Sequence, residues 1–337
     1  MIKIAEKLIR KLKWGVAGCG KFTETAFLPA IKVMRKSTVQ SVFSHDAARV
    51  KYISEKFAVP GAYTDYDDFL KSPIDAVYIG SVNSDHYTQV IKAARAGKHI
   101  LCEKPLAITY SQAEEMVKVC EENKVQLAIN YTQRFHPIVA KAKEIVDGGM
   151  LGKLVSMQIN FNINFEPGDN FRFKKELSGG GALRDLGTHA IDLMRFLGGE
   201  ITEIDGIYDD IIYKSDVDDL AMGLIKFEKG GYGSFNVSYN NKKAFNRIEI
   251  LGYSGALSIE NLIGQRHSSA KLTILLDGEA KKAFRKRGNK LHNCLKSVQK
   301  SFLENTTPFV TGIDGLINLK LMEELEENCR KKKEQLN

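Results

Sequence analysis

The stretch Leu12-Lys13-Trp14-Gly15-Val16-Ala17-Gly18-Cys19-Gly20-Lys21-Phe22-Thr23 decides the fold. Its first six residues read as a short, largely apolar strand. The chain then breaks into Gly18-x-Gly20-x-x-Thr23, close to the pattern that turns a strand into a helix beneath a dinucleotide. One glycine makes the tight turn. The next lets backbone N–H groups approach a pyrophosphate, which the following helix N-terminus favours. Gly18, Cys19, Gly20, Lys21 and Phe22 are therefore candidate cofactor-binding residues. Thr23 stands where the pattern asks for Gly or Ala, so the turn alone is an incomplete signature.

Outward from this turn, strand and helix patterns alternate. Short apolar runs at 39–43, 76–80, 98–102 and 125–130 read as strands. Helical patterns fill 25–34, 47–57, 85–96 and 110–123, with Ser111 as N-cap and Glu114 three residues later. Strands this apolar, separated by helices, predict a parallel sheet covered on both faces. From about Gly152 the pattern changes. Alternating stretches at 154–165, 204–213, 221–240, 245–260 and 271–277 predict a mostly antiparallel sheet with one face less buried. Helical runs at 187–197, 291–305 and 314–332 accompany it. The expected fold is α/β: an N-terminal dinucleotide-binding Rossmann domain over 1–133 and a second α/β domain over 134–337. The last helix is free to pack back on the first domain.

A chain of 337 residues, 43% hydrophobic and 27% charged, has the size and composition of a two-domain globular protein. It contains no run of about 18 apolar residues that would span a membrane. The N-terminus, MIKIAEKLIRKLK, is basic and amphipathic without the apolar core of a signal peptide, so a cytoplasmic address is expected. Cys19, Cys102, Cys120, Cys294 and Cys329 are odd in number and scattered, which predicts reduced thiols. The formal charge of +8 gathers in runs at 7–13, 281–290 and 330–333. No nucleic-acid-binding motif stands beside them, so no nucleic-acid partner is expected. A phosphate-bearing cofactor suits such a balance.

The end of the second strand discriminates between cofactors. An NAD site expects an acid there for the ribose 2′-hydroxyl. Here Ser44 takes that position, with His45 and Arg49 beside it, a set that tolerates a 2′-phosphate. NADP(H) is favoured and NAD(H) is possible, because a shift of two residues would bring Asp46 into place. Ligands of open α/β sheets lie beyond the carboxyl ends of the strands. Ser81 and Asn83 follow the third of the strands read here, Glu103, Lys104 and Pro105 the fourth, and Asn130 the fifth. An ammonium at Lys104 could hydrogen-bond a substrate oxygen and stabilise charge as hydride moves. Residues 179–192 read GGGALRDLGTHAID, placing Asp185, His189 and Asp192 on one helical face. An Asp beside a His can orient the ring and raise its pKa for proton transfer. A buried structural histidine and a helix-capping Asp explain the same residues. A metal site is not expected, since only two or three ligands gather there.

Taken together these segments resemble the Gfo/Idh/MocA oxidoreductases. The resemblance runs through the glycine turn, Asn83 and His86 in SVNSDH, AGKHILCEKPL at 96–106 and NYTQRFHP at 130–137. It continues through GGGALRDLGTHAIDL at 179–193 and TGIDGL at 311–316. The resemblance implies an NAD(P)-dependent dehydrogenase or reductase acting on a sugar, sugar derivative or cyclic polyol. It implies a large open sheet in the second domain that mediates a homodimer or homotetramer. It further implies that Lys104 contacts nicotinamide and substrate, that His189 is the general acid/base, and that Asp185 binds or supports a substrate hydroxyl. Glu103, Ser81, Asn83 and His86 fall in the cofactor-binding set, and Arg172 and Asn130 in the substrate-binding set. A glycoside hydrolase that uses tightly bound NAD transiently is an alternative; a non-catalytic cofactor-binding regulator is another. Asn160, Asn162, Asn164 and Phe165 fit either sugar contacts or a polar sheet face.

Overall fold

The computed structural model describes residues 10–263 and 269–336. The first nine residues, on which the reading of the N-terminus and part of its basic run rest, lie outside the described residues.

The first half alternates strand and helix. β1 (Leu12–Ala17) leads through the glycine turn to α1 (Leu28–Lys32), then β2 (Ser37–Phe43), α2 (Ala47–Phe57), β3 (Gly61–Tyr63) and α3 (Tyr66–Lys71). It continues with β4 (Ala76–Ile79), α4 (Asn83–Arg95), β5 (His99–Cys102), α5 (Tyr110–Glu122) and β6 (Leu127–Ile129). The six strands form one parallel sheet in the order β3-β2-β1-β4-β5-β6. All four residues of β4 and all three of β6 are buried, as strands covered on both faces must be. In this half of the chain two elements escaped the sequence reading: β3, three residues at the sheet edge, and the six-residue α3. Both are too short to show a period. The cap of α5 also differs from expectation. Thr109 accepts a hydrogen bond from the backbone N–H of Gln112, so Ser111 lies inside the helix.

The chain then forms α6 (Pro137–Asp147), β7 (Leu154–Asn162), α7 (Lys175–Ser178) and α8 (Thr188–Gly198). β8 (Ile201–Asp209), β9 (Leu220–Phe227), β10 (Tyr232–Ser238), β11 (Arg247–Gly252), β12 (Gly255–Glu260), β13 (Ser269–Leu276) and β14 (Lys282–Arg287) follow. These build an eight-stranded sheet in the order β14-β13-β12-β11-β7-β10-β9-β8. Every pairing is antiparallel except β7 with β10. In β9 the residues alternate buried and exposed, the signature of a sheet with one covered face. Residues 282–287, read from sequence only as part of a charged run, form the edge strand β14, exposed throughout.

The last two helices are α9 (Lys290–Glu304) and α10 (Gly312–Leu336). α9 returns to the first sheet and packs on β1 and α1. α10 touches both α5 of the first half and β8 of the second. All five cysteines are buried and free. No described helix is long and apolar enough to cross a membrane.

Candidate active site

The glycine turn has the geometry its residues demand. Gly18 has φ +93°, and a Cβ there would lie 2.4 Å from the Ser81 backbone nitrogen. Only glycine fits so close an approach. A Cβ on Gly20 would meet nothing within 4 Å, because that position opens onto a cleft. Thr23 has its own device. Its hydroxyl donates to the Gly18 carbonyl at 2.6 Å and is buried, so it ties the turn together where the sequence pattern expects a small residue. A π-helical turn over Thr23–Phe27 then leads into α1.

A cleft of about 450 Å³ opens above this turn, lined by Gly18, Gly20, Ser44, Arg49, Ser81 and Phe171 among others. A turn without side chains, backbone N–H groups at a helix start and hydroxyls on the facing wall fit a dinucleotide. Ser44 lies one residue beyond β2 and lines the cleft. Asp46, the competing acid, caps α2 by accepting from the Arg49 backbone N–H at 3.0 Å. The Arg49 guanidinium donates to the Cys19 carbonyl at 2.7 Å and pairs with Glu24, so it is half-buried rather than a free helix residue. His45 is exposed, and its Nε2 stands 3.9 Å from Asp85. Cys19 is buried, with Sγ 3.5 Å from the Phe43 carbonyl, while Lys21 and Phe22 are exposed.

Glu103 and Lys104 follow β5, and the Lys104–Pro105 peptide is cis. One Glu103 oxygen accepts from the Tyr78 hydroxyl at 2.8 Å and the Asn130 amide at 2.6 Å. Burial raises the Glu103 pKa against these hydrogen bonds. Asn130 is itself buried and also accepts from Cys294 at 3.4 Å. It therefore lies behind Glu103. His86 is fully buried; its Nδ1 stands 3.0 Å from the Pro105 carbonyl, and burial pushes its pKa down to about 4. Asn83 donates to the Ser178 carbonyl at 2.9 Å, joining α4 to the segment before Asp185. The Ser81 hydroxyl donates to Gln89 at 2.7 Å.

Lys104 reaches across to the second half of the chain. Its ammonium donates to the Asp185 backbone carbonyl at 2.9 Å and forms an ion pair with the Asp185 carboxylate. The other Asp185 oxygen accepts from the Tyr239 hydroxyl at 2.9 Å and lies 3.4 Å from Arg172 Nε. Burial opposes ionisation of Asp185, but the Lys104 ammonium and the Arg172 guanidinium outweigh it and hold the carboxyl well below the usual range. The Arg172 guanidinium also lies over the Phe171 ring, 4.7 Å from its centre.

The expected pairing of Asp185 with His189 is corrected here. Residues 183–187 form a wide π-helical turn before α8, and Asp185 is spent on Lys104 and Tyr239. His189 Nδ1 is buried with no hydrogen-bond partner among the described residues. Burial first, and then the Lys104 ammonium, hold its pKa well below the ordinary value; Asp185 opposes this without prevailing. The ring is lowered, not raised. Asp192, expected on the same face, is sealed in the interior against Arg134 at 2.7 Å and Asn318 at 3.2 Å.

Three contributors were not foreseen. Tyr239 just follows β10, at the end of the alternating 221–240 stretch, which marks an inward face but not a site. Tyr78 sits in a continuous apolar run, where a hydroxyl leaves no periodic signal. The carboxylate of Asp218 accepts from the backbone N–H groups of Gly181 and Leu183, both at 2.8 Å. A Cβ on Gly181 would lie 1.9 Å from the Asp218 carbonyl, which explains the glycine run before Asp185. Asn160 pairs in register with Asn236 and Arg247, and the Asn162 side chain accepts from Ser238 at 2.8 Å; Asn164 lies 3.4 Å from Glu166 and from the Tyr213 hydroxyl.

Comparison with known proteins agrees with this construction. Residues 12–131 match the model of an oxidoreductase family with an NAD-binding Rossmann fold, and residues 139–258 match the GFO/IDH/MocA C-terminal domain. The chain is 27% identical to 1,5-anhydro-D-fructose reductase of Ensifer adhaerens, over 91% of this chain and 93% of that protein. It is 30% identical to D-xylose 1-dehydrogenase (NADP(+)) 2 of Haloferax volcanii, over 68% and 70% of the two chains. The structure of aldose-aldose oxidoreductase from Caulobacter crescentus, complexed with glycerol, superposes with a TM-score of 0.88 at 25% identity, covering 96% of this chain and 98% of that one. A glycine turn over a dinucleotide-sized cleft, a Lys–Asp contact joining two sheets and both family models agree: the chain belongs to the Gfo/Idh/MocA oxidoreductases.

Proposed function

We propose that this protein is an NAD(P)-dependent dehydrogenase or reductase acting at a CH–OH carbon of a sugar, sugar derivative or cyclic polyol. The observation that carries this reading is the Lys104–Asp185 contact beside a neutral His189, where the two halves of the chain meet. When bound, the nicotinamide supplies the hydride acceptor or donor. Gly18, Cys19 and Gly20 would hold the pyrophosphate, and Ser81 and Glu103 would line the remaining length of the cleft. Lys104 hydrogen-bonds the substrate oxygen and stabilises its developing charge. His189, neutral because it is buried, takes the hydroxyl proton in the oxidative direction and returns it in the reductive one. Nδ1 is enclosed, so Nε2 is the ring nitrogen that exchanges the proton. Asp185 fixes the Lys104 ammonium and, with Arg172, presents polar groups to substrate hydroxyls. Asn130 acts through Glu103 rather than on the substrate.

The cofactor reading favours NADP(H). Ser44 lines the cleft without a carboxylate, and Asp46 is committed to capping α2. The engagement of Arg49 with Glu24 weakens its claim on a 2′-phosphate. The experiment is to denature a portion of purified protein, assay released nicotinamide, and titrate the remainder with NADPH and NADH by fluorescence. Tighter NADPH binding to empty protein is the expected result. Tightly held endogenous NAD would overturn the cofactor reading and favour the internally recycling hydrolase.

The proposal extends to the assembly. We divide the chain into a cofactor domain over 1–133 and a substrate domain over 134–337, in a cytoplasmic homodimer or homotetramer. Support comes from the open sheet face, where Ile207, Met222, Leu224, Tyr232, Leu251 and Leu275 are exposed. Apolar side chains grouped on one face suit burial against a second copy. Sedimentation of a monomer at micromolar concentration would defeat this part of the reading.

A further inference from the structure

A larger hollow than the cofactor cleft lies elsewhere in the molecule. It is a groove of about 920 Å³ between α9 and the segment joining α1 to β2. β1 starts at Leu12, whose N–H donates to the Lys36 carbonyl at 2.9 Å, and Lys36 lines the groove. The groove therefore lies at the amino ends of the parallel strands, the opposite end from Gly18 and Lys104. Ligands of the parallel sheet itself bind at the carboxyl ends, so this groove is a separate feature.

Its walls carry Arg10, Arg35, Lys36, Lys296 and Lys300 against the single carboxylate of Glu304. Five cations less one anion leave four positive charges, half of the formal +8 of the whole chain. None of the five has a carboxylate within ion-pair distance among the described residues. Elsewhere cations do pair: Arg134, Arg184 and Arg195 each hold an acid. Like charges around one hollow repel, and an anion drawn from solution relieves the repulsion. The groove also has an apolar part. Met34 is buried beneath it, Leu303 is half-buried, and Val33 is 69% exposed beside them. Apolar surface flanked by cations suits an anion that carries a ring or chain, rather than a bare ion.

We propose that this groove binds an organic polyphosphate, with its phosphates among Arg10, Arg35, Lys36, Lys296 and Lys300 and its ring over Val33, Met34 and Leu303. The site is independent of the oxidoreductase reading. Calorimetric titration with ATP and with inorganic tripolyphosphate at low salt tests it. The comparison is wild type against the double variant Lys296→Glu, Lys300→Glu, whose cofactor cleft is unchanged. ATP is expected to bind more tightly than tripolyphosphate, with an affinity that falls as salt rises. The double variant is expected to lose at least about tenfold in ATP affinity, since two attractive charges become repulsive. Its NADPH affinity and melting temperature are expected to stay at wild-type values. ATP binding that the double variant leaves intact places the nucleotide elsewhere and overturns the proposal. Equal affinity for ATP and tripolyphosphate overturns the organic part. Tighter binding of a 20-base-pair DNA duplex, lost in the same variant, replaces the small ligand with nucleic acid.

Discussion

Asp185 and Asp192 lie seven residues apart; Asp192 is fully buried and Asp185 keeps 19% of its side chain exposed, and both are held by cations and neutral donors. Their electrostatics run in opposite directions. At Asp185 the Lys104 ammonium and Arg172 overcome burial, and the carboxyl is held well below its usual range. At Asp192 burial outweighs the Arg134 guanidinium, and the pKa is raised. Asp185 bridges the two halves of the chain through Lys104, whereas Asp192 ties Arg134 and Asn318 together within the second. The Lys104–Asp185 cluster borders the His189 ring, whose Nδ1 still lacks a partner. The Asp192 cluster is closed: Arg134 also binds Asp314, Asn318 bonds Asp192, and Arg195 bonds Asn318. An acid whose neighbours are all satisfied is a bolt. One placed next to an unsatisfied ring nitrogen is part of a site.

Five predictions test this contrast. Lys104→Ala and His189→Ala are each expected to lower turnover by about 10²–10⁴ while the protein stays folded. Near-normal steady-state rates in both would end the assignment. Asp192→Ala is expected to destabilise the fold by about 3–5 kcal/mol, because it removes the fully buried partner of Arg134 and leaves that guanidinium only Asp314. Denaturant titration measures this, and the folded fraction should still turn over. Asp185→Asn should show the reverse, a rate loss of about 10² with little change in the denaturation midpoint. A variant at Asp185 that lost stability rather than rate would make the two acids equivalent.

The fourth prediction concerns pH. The folded pKa of His189 is depressed, so the ring is neutral through pH 7 and competent as a base. The oxidative rate should therefore hold below pH 6.5 and fall only as the depressed pKa is reached. A fall centred at 6.5 or above would mean that His189 is not the base. The last prediction concerns Lys290, which donates to Gln133 at 2.9 Å and has its pKa lowered by burial to about 8. Between pH 8 and about 10.5 the unfolded chain holds a proton that the folded one has released, so stability rises with pH across that window. Lys290→Met should remove that rise from the melting-temperature profile.

The first sheet was largely legible in the sequence because its strands are continuous apolar runs and its helices are amphipathic. The expected strand at residues 12–17 and helix at residues 47–57 coincide with β1 and α2. The second sheet was legible as alternation, down to its mostly antiparallel pairing. Short elements were not: β3 and α3 carry too few residues for a period to show. Lys104, Asp185 and His189 could be singled out because a charge closing an apolar strand and a histidine after a glycine run both break the local pattern. Tyr239 and Tyr78 break nothing, since an aromatic residue at an inward position reads as core.

By itself, the sequence determined the two sheet types, the glycine turn and the identity of the groups available for chemistry, because periodicity and turn chemistry are local properties. Tertiary structure decided which of those groups meet. Lys104 and Asp185 are 81 residues apart and touch only because α8 and its wide turn dock beyond the end of β5. The same docking buries His189 and turns the expected direction of its pKa around, because desolvation depends on what packs around a ring and not on its neighbours in the chain.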